Sequence, residues 1–437
     1  MSAPTQTETF DVGGATVFLE ENHALPLVAI SVLTRSGAAH DPPGKTGVAR
    51  VTSRMLLRGC EGATAQQIEE LLDGYGAEAG EETTAAASGM SMQGITRNID
   101  KLVDLGSRII GAPTFAAADF ARIIREMDAD QLEMRDEDRT LAERAVRRAI
   151  FGDHVYGRLT SRESLAAMTV DDVRGFHAKH YARKNIVVSI AGDVTPDSAR
   201  IVAEKLLSRL PPGERMVDPT TDPTERTGRR LIFVDKPERT QTQLYIGGLG
   251  TSPHDDDHVP LIVGDAVLGG SFTSRLMREV RSKRGWSYGA SSHLDVARKR
   301  HRFTAHTFPA ATDAAACLAL ELDLIEKYVS HGITPRELAF IKKFLVRGYA
   351  FEIDTAPKRV QQAVDIDLYD WPADYHSGYV EKVKGVELDA VNGAIKRRIK
   401  PENLAIVIVG TAAQILEPIQ KAIPNLASTD VIPFDKI

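Results

Sequence analysis

Apolar positions along the chain follow two rhythms. Short β-branched runs ending at glycine, such as NIVVSIAGDVT from Asn185 and NLAIVIVGTAA from Asn403, read as buried strands. The segment DAAACLALELDLIEKYV (313–329) instead spaces its apolar residues at helical intervals and predicts a helix lying over a sheet. Helix starts are marked at Thr64-Ala-Gln-Gln67, Thr169-Val-Asp-Asp172 and Thr334-Pro-Arg-Glu337, where a hydroxyl precedes an acceptor by three residues.

The pattern occurs twice. ATVFLEE near the start corresponds to RLIFVDK from Arg230, and LVAISVLTRSG from Leu27 corresponds to TQLYIGGLG from Thr242. A long-period repeat of this kind signals a duplicated unit. Between the halves lies PPGERMVDPTTDPTERTG, too rich in proline for a core element and suited to a linker. The expected organisation is an N-terminal α+β domain over 1–210, a linker over 211–229 and a similar α+β domain over 230–437. Each is predicted as a mostly antiparallel sheet with helices on one side.

Composition narrows the function classes. A net charge of −6 argues against a nucleic-acid binder, which needs cations to displace counterions from phosphates. Cys60 and Cys317 lie far apart, so neither a disulfide framework nor a cysteine-rich zinc module is expected. Apolar runs such as 186–191 fall far short of a membrane span. MSAPTQTETF shows no basic stretch followed by an apolar one, so a cytoplasmic protein is expected, or a periplasmic one if a leader has been removed.

The stretch GVARVTSRMLLRGC (47–60) carries the candidate chemistry. Val48, Val51, Met55 and Leu56 stand at core-facing helical spacing, while Arg50, Ser53 and Arg54 fall at i, i+3 and i+4. Together with SGAAHDPPGKTG (36–47), GAPTF (111–115), FGDHVYGR (151–158), AGDVTPD (191–197) and LGGSFTSRLMREVRSKRGWSY (268–288), this stretch resembles the pitrilysin family of inverted-motif zinc peptidases. The likeness is greatest to its half-size bacterial members, related to mitochondrial processing peptidase. Catalytic members have His-x-x-Glu-His at the motif and a later acid as third zinc ligand. Here Arg50, Ser53 and Arg54 take those places, and the later acid falls near Ala129 or Asp130. Guanidinium has no lone pair for a metal, and a serine is too weak a base to activate water. No metal is expected in this chain.

Other histidine pairs read as ordinary structure. His254 and His258 flank three aspartates suited to a helix start, His177 and His180 lie on a basic amphipathic segment, and His154 sits in a short loop.

In the second half, REVRSKRGWSYGAS (278–291) ends a basic helix at Gly285, with a strand expected from near Trp286. The resemblance implies that Arg281 and Tyr288 reach a substrate at a zinc site. On a continuous helix seven residues would separate them by roughly 10 Å, so the break at Gly285 must fold the tyrosine back. From residue type alone, Arg275, Arg278, Arg281 and Arg284 are a solvated helix face and Tyr288 a half-buried strand residue.

The expectation is a zinc-free subunit, inactive alone, that lends Arg281 and Tyr288 to a half-size H-x-x-E-H partner holding the zinc. The substrate would be an unfolded peptide, added at a sheet edge. Arg50 and Arg54 are surface or interface charges, or they line the chamber. The isolated chain is also able to form a homodimer. Two alternatives stand beside this: a structural or assembly subunit, and a peptide-binding protein that meets no peptidase partner.

Overall fold

The computed structural model describes residues 7–437; the first six residues of the N-terminal stretch MSAPTQTETF lie outside them. Two units emerge from its contacts, each built on a six-stranded sheet.

The first unit's strands are β1 (Glu8–Val12), β2 (Ala15–Glu21), β3 (Leu27–Thr34), β4 (Ala77–Thr83), β5 (Ser88–Ile95) and β6 (Ile186–Gly192), in the order β1-β2-β6-β3-β5-β4. Only β2 and β6 run parallel; the other neighbours are antiparallel. The second unit holds β7 (Arg229–Asp235), β8 (Gln243–Leu249), β9 (Ala290–Leu294), β10 (Arg302–Thr307), β11 (Ala405–Gly410) and β12 (Leu426–Pro433), in the order β9-β10-β8-β11-β7-β12. The repeat seen in sequence is thus a repeat in space: β2-β6-β3 and β7-β11-β8 share pairing order and direction. Their β-branched residues are sealed on both faces, and β11 is buried at every position.

Helices gather on one face of each sheet. The opposite face is not left bare, because a single helix crosses it. In the first unit that helix is Ala356–Tyr369, whose Ala356, Val360, Val364 and Leu368 form an i, i+4 stripe against Phe18, Leu33 and Val187. Burying each larger member of such a stripe contributes about 1.5–3 kcal/mol. Buried ion pairs add anchorage: Arg359 Nε donates to Glu20 Oε1 at 2.8 Å, and Arg35 pairs with Asp367. In the second unit the crossing helix is Asp138–Phe151, with Leu141, Ala145, Val146 and Ile150 buried. Gly247 permits its close approach, since a Cβ there would meet Ile150 Cδ1 at 3.0 Å and the Phe303 carbonyl oxygen at 2.7 Å.

These crossing helices make the units discontinuous in sequence. The first contains 1–131, 159–220 and 350–371; the second contains 132–158, 221–349 and 372–437. Residues 211–227 carry no helix or strand, and one unit boundary falls within them. A helix that completes each unit therefore comes from the other half of the chain, an exchange that boundaries drawn at 210 and 230 do not describe.

Candidate functional site: an arginine-filled motif and an exposed arginine–tyrosine pair

In the first unit the stretch 47–60 forms the helix Val48–Leu56. Asp41 caps it from a distance, accepting from the Gly47 N–H at 2.6 Å and the Ala49 N–H at 2.8 Å. Gly47 starts the helix at φ +111°, where a Cβ would be strained and would press on Thr160. Val48, Val51, Met55 and Leu56 are all buried, as their spacing predicts.

The motif positions have three different fates. Ser53 is fully buried and donates to the Ala49 carbonyl at 3.2 Å. Arg50 is exposed and, among the described residues, has no ion pair within 4.0 Å. Arg54 is only 17% exposed and faces three carboxylates: Glu81 at 3.7 Å, Glu126 at 3.6 Å and Asp130 at 3.6 Å. Glu126 and Asp130 stand one turn apart on the helix Ala117–Glu133, and Glu81 lies on the edge strand β4. Glu126 also pairs with Arg58 and Arg122. A monocation held by carboxylates sits where the motif would place a metal-binding imidazole.

In the second unit, the segment after Ser274 winds into a wide turn over Met277–Ser282, with the Lys283 N–H reaching the Arg278 carbonyl at 3.0 Å. Gly285, at φ +67°, reverses the chain, and β9 begins only at Ala290, not near Trp286. The intervening bend is what returns Tyr288 to Arg281. The guanidinium carbon lies 4.5 Å from the Tyr288 ring centre and 5.0 Å from that of Phe272. Both rings are open to solvent, Tyr288 at 79% and Phe272 at 71% exposure.

Neighbouring arginines are engaged elsewhere. Arg275 forks onto Glu337 at 2.8 and 2.7 Å, while Arg278 and Arg284 pair with Glu279. Among the described residues Arg281 has no carboxylate within 4.0 Å. Arg278 and Arg284 are exposed, whereas Arg275 is largely buried against Glu337 and Arg281 lies half-buried beside two rings.

Two family profiles match the chain. Insulinase (peptidase family M16) covers residues 16–162, and the peptidase M16 inactive domain covers 167–345. The chain belongs to peptidase family M16. It is 21% identical over 396 residues to the non-peptidase homolog YmxG of Helicobacter pylori, spanning 90% of this chain and 91% of that one. An uncharacterized zinc protease of Mycobacterium bovis is 24% identical over 403 residues, covering 91% of each chain. Among solved structures, an M16 inactive domain from Pseudomonas fluorescens superposes with a TM-score of 0.84 at 26% identity, covering 92% of this chain and 98% of the other.

The M16 zinc does not fit the residues at this motif. Arg50 and Arg54 offer no lone pair, and the Ser53 hydroxyl is spent on its own helix. Among the described residues no group of three or more His, Cys, Asp or Glu is placed to hold a metal ion. The histidine pairs are otherwise occupied. His258 starts a helix, with Nδ1 at 2.8 Å from the Thr251 hydroxyl and Nε2 at 3.1 Å from that of Tyr375. Asp255 and Asp257 pair with Arg397 and Arg398. His177 Nε2 meets the Ile110 carbonyl at 2.7 Å, His180 is buried, and His154 bridges Tyr156 and Thr221. Burial pushes His258 and His180 down to about 4, so both stay neutral. Among the described residues no helix is long and apolar enough to cross a membrane.

Three residues of these sites escaped the sequence reading. Glu81 and Glu126 meet Arg54 only through tertiary contact, although Glu126 and Asp130 at i, i+4 were a readable pair. Phe272, an isolated aromatic in a glycine- and serine-rich loop, carried no signal.

Proposed function

We propose that this M16 chain is a zinc-free subunit that supplies Arg281 and Tyr288 to the active site of a half-size H-x-x-E-H partner. The observation that carries this reading is the exposed phenol stacked on an arginine without a carboxylate partner. Amide hydrolysis develops negative charge on the carbonyl oxygen, and preorganised donors at that oxygen lower the barrier. The phenol offers one directed donor, and the guanidinium offers a fork for substrate backbone carbonyls. Extended peptide has a natural seat in the first unit, where among the described residues β4 pairs only with β5. A cavity of about 330 Å³ lies beside that edge, lined by Ser31, Gly80, Met92 and Gln361 among others.

The test is reconstitution. The chain alone should leave an unfolded peptide intact, and adding it to a half-size H-x-x-E-H subunit should restore cleavage. Tyr288→Phe and Arg281→Ala should each weaken that rescue while the two chains still co-elute. Full rescue by both variants would reject the reading.

A structural or assembly role is the second reading, and one observation favours it: the metal position has become an ion-pair network around Arg54. Partner binding with no effect on cleavage would select it.

A further inference from the structure

The helix Pro335–Gly348 of the second unit carries apolar side chains on two opposite faces. Its inner face holds the buried Leu338 and Ile341 and the half-buried Leu345, and the helix packs against His258–Leu268 and Tyr379–Gly385. Arg336, Phe340, Lys343, Phe344 and Arg347 recur at i, i+4, i+7, i+8 and i+11, so they share the outer face. All five are exposed, Phe340 at 53% and Phe344 at 45%. Apolar side chains scattered singly over a surface are ordinary, but two on one stripe are not. Among the described residues no other helix exposes two large apolar side chains one turn apart.

The cations of this stripe are uncommitted. Among the described residues Arg336, Lys343 and Arg347 have no carboxylate within 4.0 Å, and Glu337 on the same helix is held by Arg275 and Thr334. Acids of the adjoining segment are engaged as well: Asp374 pairs with Lys382 and Glu381 with Lys384, each at 2.7 Å. The chain as a whole carries −6, so this face is a local cationic surface on an acidic protein.

The interleaving of rings and cations selects the occupant. The core of a protein interface is depleted of charge, and of lysine in particular, because burying an unpaired charge is costly. Here Lys343 and Arg347 stand among the rings. At an anionic bilayer the same side chains sort by depth: rings enter the boundary of the acyl chains, and long cationic side chains reach back to the phosphates. Among the described residues no helix is long and apolar enough to cross a membrane, so such a contact is peripheral.

We propose that the outer face of Pro335–Gly348 docks this chain on an anionic lipid surface, with Phe340 and Phe344 inserted and Arg336, Lys343 and Arg347 among the headgroups.

The experiment is co-sedimentation of the full chain with vesicles of phosphatidylcholine alone and of equimolar phosphatidylcholine and phosphatidylglycerol, at low and moderate salt. Binding to the anionic vesicles, weakened by salt and absent from the neutral ones, is the expected result. Lys343→Gln and Arg347→Gln should each weaken it about fivefold, the worth of one cation near such a surface. Phe340→Ser combined with Phe344→Ser should weaken it about tenfold or more, by removing the inserted area. All four positions are exposed, and matching thermal melts of parent and variants ensure that a loss reports the face and not the fold. Sedimentation with neither vesicle, equal sedimentation with both, or anionic binding unchanged in every variant would overturn the proposal. Loss of co-elution with an H-x-x-E-H subunit in the phenylalanine variant would make the face a protein interface and overturn it too.

Discussion

Asp130 Oδ2 lies 3.6 Å from Arg54 Nη1. The acid that the family resemblance sets near the third-ligand place, at Ala129 or Asp130, thus faces the motif helix as Asp130, but it meets a guanidinium. With Asp41 capping the helix and its apolar face buried, the frame of a zinc site survives without the donors. The triple variant Arg50→His, Ser53→Glu, Arg54→His should therefore take up about one zinc per chain after dialysis, where the parent takes up none. Adding Asp130→Glu, which extends the third ligand by one methylene, should tighten that binding. Metal analysis checks it; no uptake by either variant would mean the frame has drifted.

Arg54 also serves the fold. Removing it leaves Glu81, Glu126 and Asp130 facing one another, although Arg58 and Arg122 still reach Glu126. These acids are partly solvated, so Arg54→Ala should cost only about 1–2 kcal/mol in urea unfolding. Arg54→Lys should cost less, and added salt should shrink both deficits.

How far these features could be read from sequence depended on their range. Strands and duplication were legible because apolar runs ending at glycine are local signals, as at 185–195 and 403–413. The motif's core face was legible for the same reason. The crossing helices Asp138–Phe151 and Ala356–Tyr369 were not, because an amphipathic stripe names the face to be covered and not the sheet that receives it. The strand expected near Trp286 begins at Ala290 because residues between them form the bend that returns Tyr288 to Arg281. Helical and strand periodicities carry no information about such a reversal.

Phe272 is expected to matter through Arg281. Both its ring and that of Tyr288 lie within 5.0 Å of the guanidinium carbon, and an exposed contact of this kind contributes about 0.5–1 kcal/mol. In reconstituted peptide cleavage, Phe272→Ala should lower the rate about two- to fivefold and Phe272→Tyr should restore it. Tyr288→Phe, which removes a donor and keeps the ring, should cost on the order of 100-fold. A Phe272→Ala rate equal to the parent's would mean the ring does not position the arginine.

Glu20 is fully buried, and its carboxylate accepts from Arg359 at 2.8 Å and from Thr7 at 3.1 Å. Arg359 rides on the helix Ala356–Tyr369, so this pair fastens a late segment to the first unit's sheet. Arg359→Met should destabilise by on the order of 3 kcal/mol, mainly by stranding the buried charge. Neutralising that charge in the double variant Glu20→Gln, Arg359→Met should recover part of the loss. Chemical denaturation of both variants measures the difference, and equal stabilities would place the energy in packing.

Acid should loosen the segment that carries Arg281. Arg275, at its start, forks onto Glu337, which also accepts from Thr334 at 2.8 Å in the capping box of the helix Pro335–Gly348. Burial alone would push the Glu337 carboxyl up, but the Arg275 and Thr334 donors outweigh it and hold it down at about 2. Because this pKa is depressed below its unfolded value of 4.5, the stabilisation is complete above that pH and is lost as pH falls toward 2. The shift corresponds to on the order of 3 kcal/mol, an upper bound because the pair is partly open to solvent. Glu337→Gln should therefore be less stable than the parent at neutral pH, with the deficit closing as pH drops through the same window. In the reconstitution assay, rescue of cleavage by Glu337→Gln at neutral pH should fall as well, because the Arg281 turn loses its anchor while Arg281 and Tyr288 remain intact.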